Sequence, residues 1–176
     1  MPEPKETVAK RALTIAAALA TADPGERAAA RRMDGHGCPL FWRQAARLGI
    51  SPHEEVVWLR LMRMISLLTP ATATGSIHDP GRALGAVLAD GGQAGARLEK
   101  PFLSEPRLAR LLAARGEARL DALERSVRMI ARARPKLDVV DLAWVVLRDD
   151  SGRLARDYYT RLDRSEQNPI EEREDA

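Results

Sequence analysis

The stretch EPRLARLLAARGEARLDALERSVRMIARAR, residues 105–134, determines the fold class. Its apolar residues recur three and four positions apart, which is the period of an α-helix with one buried face. In the second half of the stretch these residues are Leu120, Leu123, Val127 and Ile130. Gly116 interrupts the pattern, so the stretch predicts two consecutive helices, at 105–115 and 117–134.

Helix-start signals extend this pattern over the rest of the chain. Asp23-Pro24-Gly25-Glu26 and Ser51-Pro52-His53-Glu54 each combine a cap, a proline at the first helical position and a glutamate that can reach back to the cap. Asp79-Pro80, Ser104 and Asp138 give further caps. The additional helices predicted are 6–21, 24–33, 40–48, 52–68, 80–90, 138–148 and 153–164. Since no segment predicts a strand, we expect an all-α, compact bundle of about eight to nine helices.

The predicted bundle divides into two closely packed halves. A break from Gly91-Gly92 to Pro101 separates an N-terminal helical half, 1–92, from a C-terminal helical half, 93–164. One continuous core across both halves is compatible with this division. Residues 69–79 predict a mobile surface loop, and the acidic segment 165–176 predicts a disordered tail because it has little apolar content.

Composition and charge suggest a polyanionic partner without establishing one. The chain has 176 residues with 24 Arg but only 4 Lys, and arginine is the cation best suited to bidentate contacts with phosphate. A GC-rich genome produces the same excess of Ala and Arg without any such selection. The tail carries a net charge of −4, so residues 1–164 carry +7.

Cysteine content and hydropathy predict a cytoplasmic protein. The single Cys38 cannot form an internal disulfide, which favours a reducing compartment. No run of apolar residues is long enough to span a membrane. The apolar run 12–22 has the spacing of an amphipathic helix, and Glu3 and Glu6 are atypical of an export signal.

The sequence predicts no catalytic residues, metal site or cofactor. His36 and Cys38 supply two metal ligands where a structural zinc needs four. Ser76, His78 and Asp79 contain the groups of a catalytic triad, but triads are assembled from distant segments that orient the imidazole. The pair Asp149-Asp150 predicts a turn that caps the following helix. No glycine-rich phosphate loop precedes a Lys-Ser/Thr pair.

Arginine placement is the remaining functional signal. Arg125 and Arg128 follow Asp121 and Glu124 by four residues, which predicts ion pairs on a solvated helix face as an alternative to phosphate binding. The sequence places the least compensated basic sites at Arg31-Arg32, which ends a helix, and at Arg82, which follows a predicted cap. Tyr158 and Tyr159 could stack on bases, although the helical pattern favours core packing for them.

The order and spacing of several short motifs resemble the CasB family, the small subunit of the type I-E CRISPR surveillance complex Cascade. The motifs are Asp23-Pro24-Gly25-Glu26-Arg27-Ala28 with Arg31-Arg32, Gly81-Arg82-Ala83-Leu84, the run 107–115, Leu142-Ala143, and the run 152–159. The resemblance covers nearly the whole chain. It implies an all-helical, non-catalytic protein that sits as a head-to-tail pair in the complex and contacts the displaced DNA strand.

The resemblance also implies partners and site residues. The partners are other Cascade subunits, the guide RNA, the single-stranded target DNA backbone and a second copy of the chain. The positions that match basic sites of the family are Arg31, Arg32, Arg82, Arg107, Arg110, Arg125, Arg153 and Arg156. They are expected to bind phosphate rather than read bases, because an R-loop subunit must accept any target sequence.

Two other functions remain open from the sequence. The predicted helices on either side of Gly116 loosely resemble a helix-turn-helix regulator, but the exposed face of the second alternates Arg with Asp and Glu. A scaffold that contacts only proteins would place the same arginines against acidic partners. An enzyme is less well supported, because titratable groups do not cluster in the sequence.

Overall fold

The protein is a bundle of α-helices. In the computed structural model residues 5–171 are described, with side chains described up to Ser165. The helices are α1 (Lys5–Thr21), α2 (Pro24–Arg32), α3 (Pro39–Leu48), α4 (Glu55–Leu68), α5 (Leu84–Asp90), α6 (Glu105–Ala113), α7 (Gly116–Ile130), α8 (Val139–Leu147) and α9 (Ser151–Glu171). A 3-10 turn, Ala131–Ala133, follows α7. The all-α prediction is confirmed.

Side-chain caps are present at the starts of α2 and α8 and a capping box precedes α4, whereas the predicted cap Ser104 makes no side-chain cap hydrogen bond at the start of α6. The Asp23 carboxylate accepts the backbone N–H of Glu26 at 3.0 Å at the start of α2. Asp138 accepts the N–H of Val140 at 2.9 Å at the start of α8. At α4 the Glu54 carboxylate accepts the N–H of Ser51 at 3.0 Å, but residues 52–54 form a turn and the helix begins only at Glu55. These three capping signals are read correctly, and the start of α4 lies three residues later than predicted.

The predicted helix start at Asp79-Pro80 is wrong. Residues 77–82 run beside Leu137 and Asp138, where Leu137 N–H donates to the Ile77 carbonyl at 3.1 Å and Asp138 N–H donates to the Arg82 carbonyl at 2.8 Å. An isolated parallel bridge joins His78 and Leu137. Helix α5 therefore begins at Leu84, whose N–H is capped by the Asp141 carboxylate of α8 at 2.8 Å.

The core is shared by helices from both ends of the sequence. α1 packs against α8, α4 against α7, and α5 against α9. The apolar face predicted for the first helix is fully buried, as are Trp58, Phe41 and Tyr158. Helices on both sides of residue 92 contribute to one hydrophobic cluster, and the division into halves at that residue stays a prediction.

The C-terminal boundary needs a correction. The sequence predicts the end of the last helix at Arg164 and a disordered tail at 165–176, whereas α9 continues to Glu171. Ser165 is buried, and its hydroxyl accepts the N–H of Leu98 at 2.6 Å. Residues 172–176 lie outside the described residues. Between residues 5 and 171, no helix combines the length and apolar character that a bilayer crossing requires.

Candidate nucleic-acid interface

Three of the eight predicted arginines line one groove. The groove lies between α6 and α7 and has a volume of about 360 Å³. Arg107 and Arg110 of α6 and Arg125 of α7 line it. The other lining residues are Leu103, Leu111, Ala122, Ser126 and Met129. No carboxylate from the described part of the chain lines this α6–α7 groove, so it combines a cationic rim with a largely apolar floor.

Helix periodicity explains why these arginines meet. Leu108 and Leu111 are buried on one face of α6, which leaves Arg107 and Arg110 exposed beside them. On α7 the buried face includes Leu123 and Val127, and Arg125 lies exposed between them. The amphipathic pattern of residues 105–130 thus predicts that these arginines are exposed, while the packing of α6 on α7 brings them together.

Arg125 makes no close ion pair because a distant arginine takes its expected partner. Asp121 forms an ion pair with Arg60 of α4 instead of with Arg125. The hydrogen bond from Arg60 lowers the pKa of Asp121, and the charge of Arg125 still contributes to lowering this pKa. Arg125 makes no hydrogen bond or ion pair with the described residues, and the same holds for Arg110. Arg107 places Nη1 3.2 Å from the Met129 Sδ.

The second predicted intrahelical pair is present. Arg128 Nη2 lies 2.9 Å from the Glu124 carboxylate, as the spacing predicts. The same buried carboxylate also contacts Arg60 at 3.0 Å and Arg63 at 3.3 Å. The prediction was therefore correct for Glu124 and wrong for Asp121, because the acidic face of α7 packs against basic residues of α4.

Arg82 is fully compensated, contrary to the sequence analysis. Its Nη2 donates to both carboxylate oxygens of Asp90 at 2.6 Å. The Asp90 side chain is 0% exposed and also accepts a hydrogen bond from Arg161 Nε at 2.6 Å. The first N–H of the following helix, that of Leu84, is also occupied, because it donates to the Asp141 carboxylate.

Arg31 and Arg32 have different surroundings. Arg31 donates from Nε to the Ser66 carbonyl at 3.1 Å and from Nη2 to the Thr69 carbonyl at 2.6 Å. Burial, followed by the charge of neighbouring Arg27, lowers the pKa of Arg31. Arg31 thus fixes the end of α4 and the start of the 69–79 loop. Arg32 is exposed and makes no hydrogen bond or ion pair with the described residues.

The two arginines predicted on α9 also differ. Arg153 Nη2 lies 2.6 Å from the Asp141 carboxylate, and burial raises the pKa of this aspartate. Arg156 is exposed, with no hydrogen bond or ion pair to the described residues. Of the eight predicted positions, Arg31 and Arg82 donate hydrogen bonds within the chain, and Arg153 has an ion-pair partner there although its side chain is 48% exposed.

The two tyrosines have opposite environments. Tyr158 is fully buried, and its hydroxyl donates to the Leu103 carbonyl at 2.5 Å. Tyr159 is 41% exposed, and its hydroxyl donates to the Glu105 carboxylate at 3.1 Å. Core packing is therefore correct for Tyr158 and wrong for Tyr159. The sequence analysis missed Phe102, which is also 41% exposed and directly precedes the groove residue Leu103.

The other candidate chemical groups have structural partners. His78 Nδ1 accepts the N–H of Val139 at 3.2 Å. Asp150 accepts the N–H of Arg153 at 2.9 Å near the start of α9, which confirms the predicted capping turn. Cys38 is buried, while His36 contacts Asp34 at the surface. Across the described residues, no group of three or more His, Cys, Asp or Glu side chains is arranged to hold a metal ion.

Comparisons with known proteins identify the family. Residues 26–159 match the family model described as CRISPR-associated protein Cse2. No curated protein matches the chain. A chain in the crystal structure of E. coli Cascade bound to a PAM-containing dsDNA target has a similar fold, with a TM-score of 0.64 and 22% identity over 86% of this chain and 96% of that chain. Cse2 is the CasB family, so the resemblance is confirmed. The chain belongs to the Cse2 family of CRISPR-associated proteins.

Proposed function

We propose that this chain is a non-catalytic subunit of a type I-E surveillance complex and that it supports the R-loop by binding the backbone of the displaced DNA strand. Its partners are the other subunits, the guide RNA, the target DNA and a second copy of itself in a cytoplasmic complex. Family membership supports this proposal, and the similar E. coli chain belongs to a Cascade structure that contains target DNA.

The observation that carries the proposal is the α6–α7 groove. Arg107, Arg110 and Arg125 line it, and no carboxylate of the described residues is among its lining side chains. Guanidinium groups bind phosphate strongly, often through two parallel hydrogen bonds. Phosphate contacts hold a strand without reading its sequence, which suits a subunit that must accept any target. The R-loop is close to energetic balance with the duplex it replaces, so a few backbone contacts can shift the equilibrium.

The other predicted arginines have different roles in the proposal. Arg32 and Arg156 are exposed and are proposed as further phosphate contacts outside the groove. Arg31, Arg82 and Arg153 hold carbonyls or carboxylates of the chain itself, and their first role is to maintain the fold. Substitutions at Arg82 therefore test stability rather than DNA binding.

The experiment is fluorescence anisotropy with labelled single-stranded DNA of several scrambled sequences over a salt series. The variant is Arg110→Glu/Arg125→Glu, and the control is Arg47→Glu, an exposed arginine of α3 with no hydrogen bond or ion pair to the described residues. Two lost phosphate contacts should reduce the slope of log K against log salt by about 1.4 for single strands. The control should change it little, because salt screens charges beyond about 8 Å at 0.15 M.

Three results would contradict the proposed function. An unchanged salt slope in the double variant would refute the groove as the phosphate site. A strong preference for one duplex sequence would favour a helix-turn-helix regulator, because direct base readout gives such a preference. Absence of nucleic-acid binding in the free chain and in the reconstituted complex would favour a protein-only scaffold.

A further inference from the structure

Two exposed aromatic residues adjoin the segment that leads into α6, one of the two groove helices. The Tyr158 hydroxyl donates to the Leu103 carbonyl, and the Tyr159 hydroxyl donates to the Glu105 carboxylate. The second bond places Tyr159 beside the first turn of α6. Phe102 directly precedes Leu103, and Leu103 lines the groove. Phe102 and Tyr159 are each 41% exposed, whereas the adjacent Tyr158 is completely buried. These two side chains, Phe102 and Tyr159, are defined here as the aromatic surface, and each is next to a residue at the start of α6 or directly before it.

Both rings are held in place by the surrounding fold. The Phe102 N–H donates to the Ala89 carbonyl at 2.7 Å. Its ring lies over Gly91, where an added Cβ would be 2.4 Å from the Phe102 Cδ2. The Tyr159 ring packs edge-on against Tyr158 with centroids 5.2 Å apart, and its hydroxyl is bonded to Glu105. Little conformational freedom remains to be lost when a ligand contacts these rings.

We propose that Phe102 and Tyr159 stack on bases of a single strand whose phosphates lie in the α6–α7 groove. This inference rests on the proposed function and adds a preference for unpaired bases to it. A guanidinium binds the phosphates of a single strand and of a duplex alike, but an aromatic ring can stack only on a base whose face is free. Stacking is tolerant of sequence because every base has a π-face.

The test compares two labelled 20-nucleotide probes that carry the same phosphates, oligo(dT) and an oligonucleotide in which most positions are abasic. The wild-type protein should bind oligo(dT) about a hundredfold more tightly than the abasic probe, since each of the two stacked bases contributes a factor of about ten. Phe102→Leu/Tyr159→Leu should lower oligo(dT) affinity to the abasic level. Affinity for the abasic probe and the salt slope should stay unchanged, because the arginines are intact.

Two control variants isolate the stacking contribution. Tyr159→Phe keeps the ring and removes only the hydroxyl that binds Glu105, so it should retain oligo(dT) affinity. Trp42→Leu removes an aromatic side chain that is 44% exposed on α3, which packs on α2 and α4 rather than on the groove helices. It should bind both probes as the wild type does. Thermal melts of all variants show whether each is folded.

The results separate failure of this inference from failure of the proposed function. Equal wild-type affinity for the two probes, with a steep salt slope, overturns stacking and leaves the arginine groove in place. Stacking is also overturned if Phe102→Leu/Tyr159→Leu is folded and keeps its preference for oligo(dT). Contact with a protein partner then becomes the better explanation for the exposed rings. Salt-independent binding to both probes, or no binding by either the free chain or the reconstituted complex, overturns the proposed function and this inference together.

Discussion

Substituting Gly85 by alanine should destabilise the protein, although alanine is normally the better helix former. Gly85 is buried in α5 at the crossing with α9. A Cβ added there would lie 2.4 Å from the Leu154 carbonyl oxygen and 2.9 Å from the Tyr158 nitrogen. Both are backbone atoms, so a side-chain rotation cannot relieve the contact. Ordinary van der Waals contact begins at 3.4 Å, and α9 would have to move by about 1 Å.

The size of the effect follows from two opposing contributions. Replacing glycine by alanine within a helix stabilises it by about 1 kcal/mol. Overpacking a core costs about 1–3 kcal/mol and occasionally more. Displacement of α9 would also disturb the hydrogen bonds from Tyr158 to Leu103 and from Arg161 to Asp90. We expect a net loss of about 2 kcal/mol, which corresponds to a fall in Tm of about 4–8 °C for a chain of this size.

The assay is urea denaturation followed by far-ultraviolet circular dichroism, with thermal melts as a second measurement. The matched control is Gly75→Ala, because no atom lies within 4 Å of a Cβ at Gly75 and its φ is not in the left-handed region. This control should stay within about 0.5 kcal/mol of the wild type. A Gly85→Ala protein as stable as the wild type would refute the reasoning, since it would show that α9 shifts at little cost.

Two further predictions concern buried polar groups. Asp90→Asn should cost about 3–5 kcal/mol of folding free energy because Arg82 and Arg161 lose their shared counter-ion. The control is Asp163→Asn, which changes an exposed carboxylate. Equal urea denaturation midpoints for the two variants would contradict the prediction. Burial raises the pKa of Tyr158 to about 12, so its contribution to stability is complete below pH 10 and is lost as the pH rises from 10 to 12. Near-ultraviolet absorbance titration measures the ionisation of the tyrosines, and the Tyr158→Phe variant shows which part of the signal comes from Tyr158. Formation of tyrosinate at Tyr158 near pH 10 in the folded protein would disprove the prediction.

Helix positions could be predicted wherever the signal is local. The face of α1 and the cap at Asp23 depend on residues within one or two turns, and the structure confirms both. The start of α5 could not be predicted in this way. Asp79-Pro80 has the local features of a cap, but the following residues bond to Asp138 and Asp141, almost sixty positions away. Tertiary hydrogen bonds therefore override the local preference at this point.

Ion-pair partners at the candidate site could be predicted from the sequence only where both residues lie on the same helix turn. The four-residue helix rule correctly pairs Glu124 with Arg128. It fails for Asp121, because Arg60 approaches from a helix that is 61 residues distant in sequence. It also cannot detect the partner of Arg82, since Asp90 lies eight residues away and is shared with Arg161. A sequence shows which residues are charged, whereas compensation depends on which helices meet.

These pairings determine which arginines are left for a ligand. Arg82 and Arg161 neutralise a carboxylate that has no exposed surface, and removing this carboxylate would leave both guanidinium groups without their shared counter-ion. Arg60 likewise pairs with carboxylates of α7, and because it holds Asp121, Arg125 makes no close ion pair and lines the groove. Replacing Arg60 should therefore weaken the proposed phosphate site indirectly, because Asp121 would then be available to pair with Arg125 four residues later. The proposed site thus depends on the ion pairs at the α4–α7 contact as well as on its own arginines.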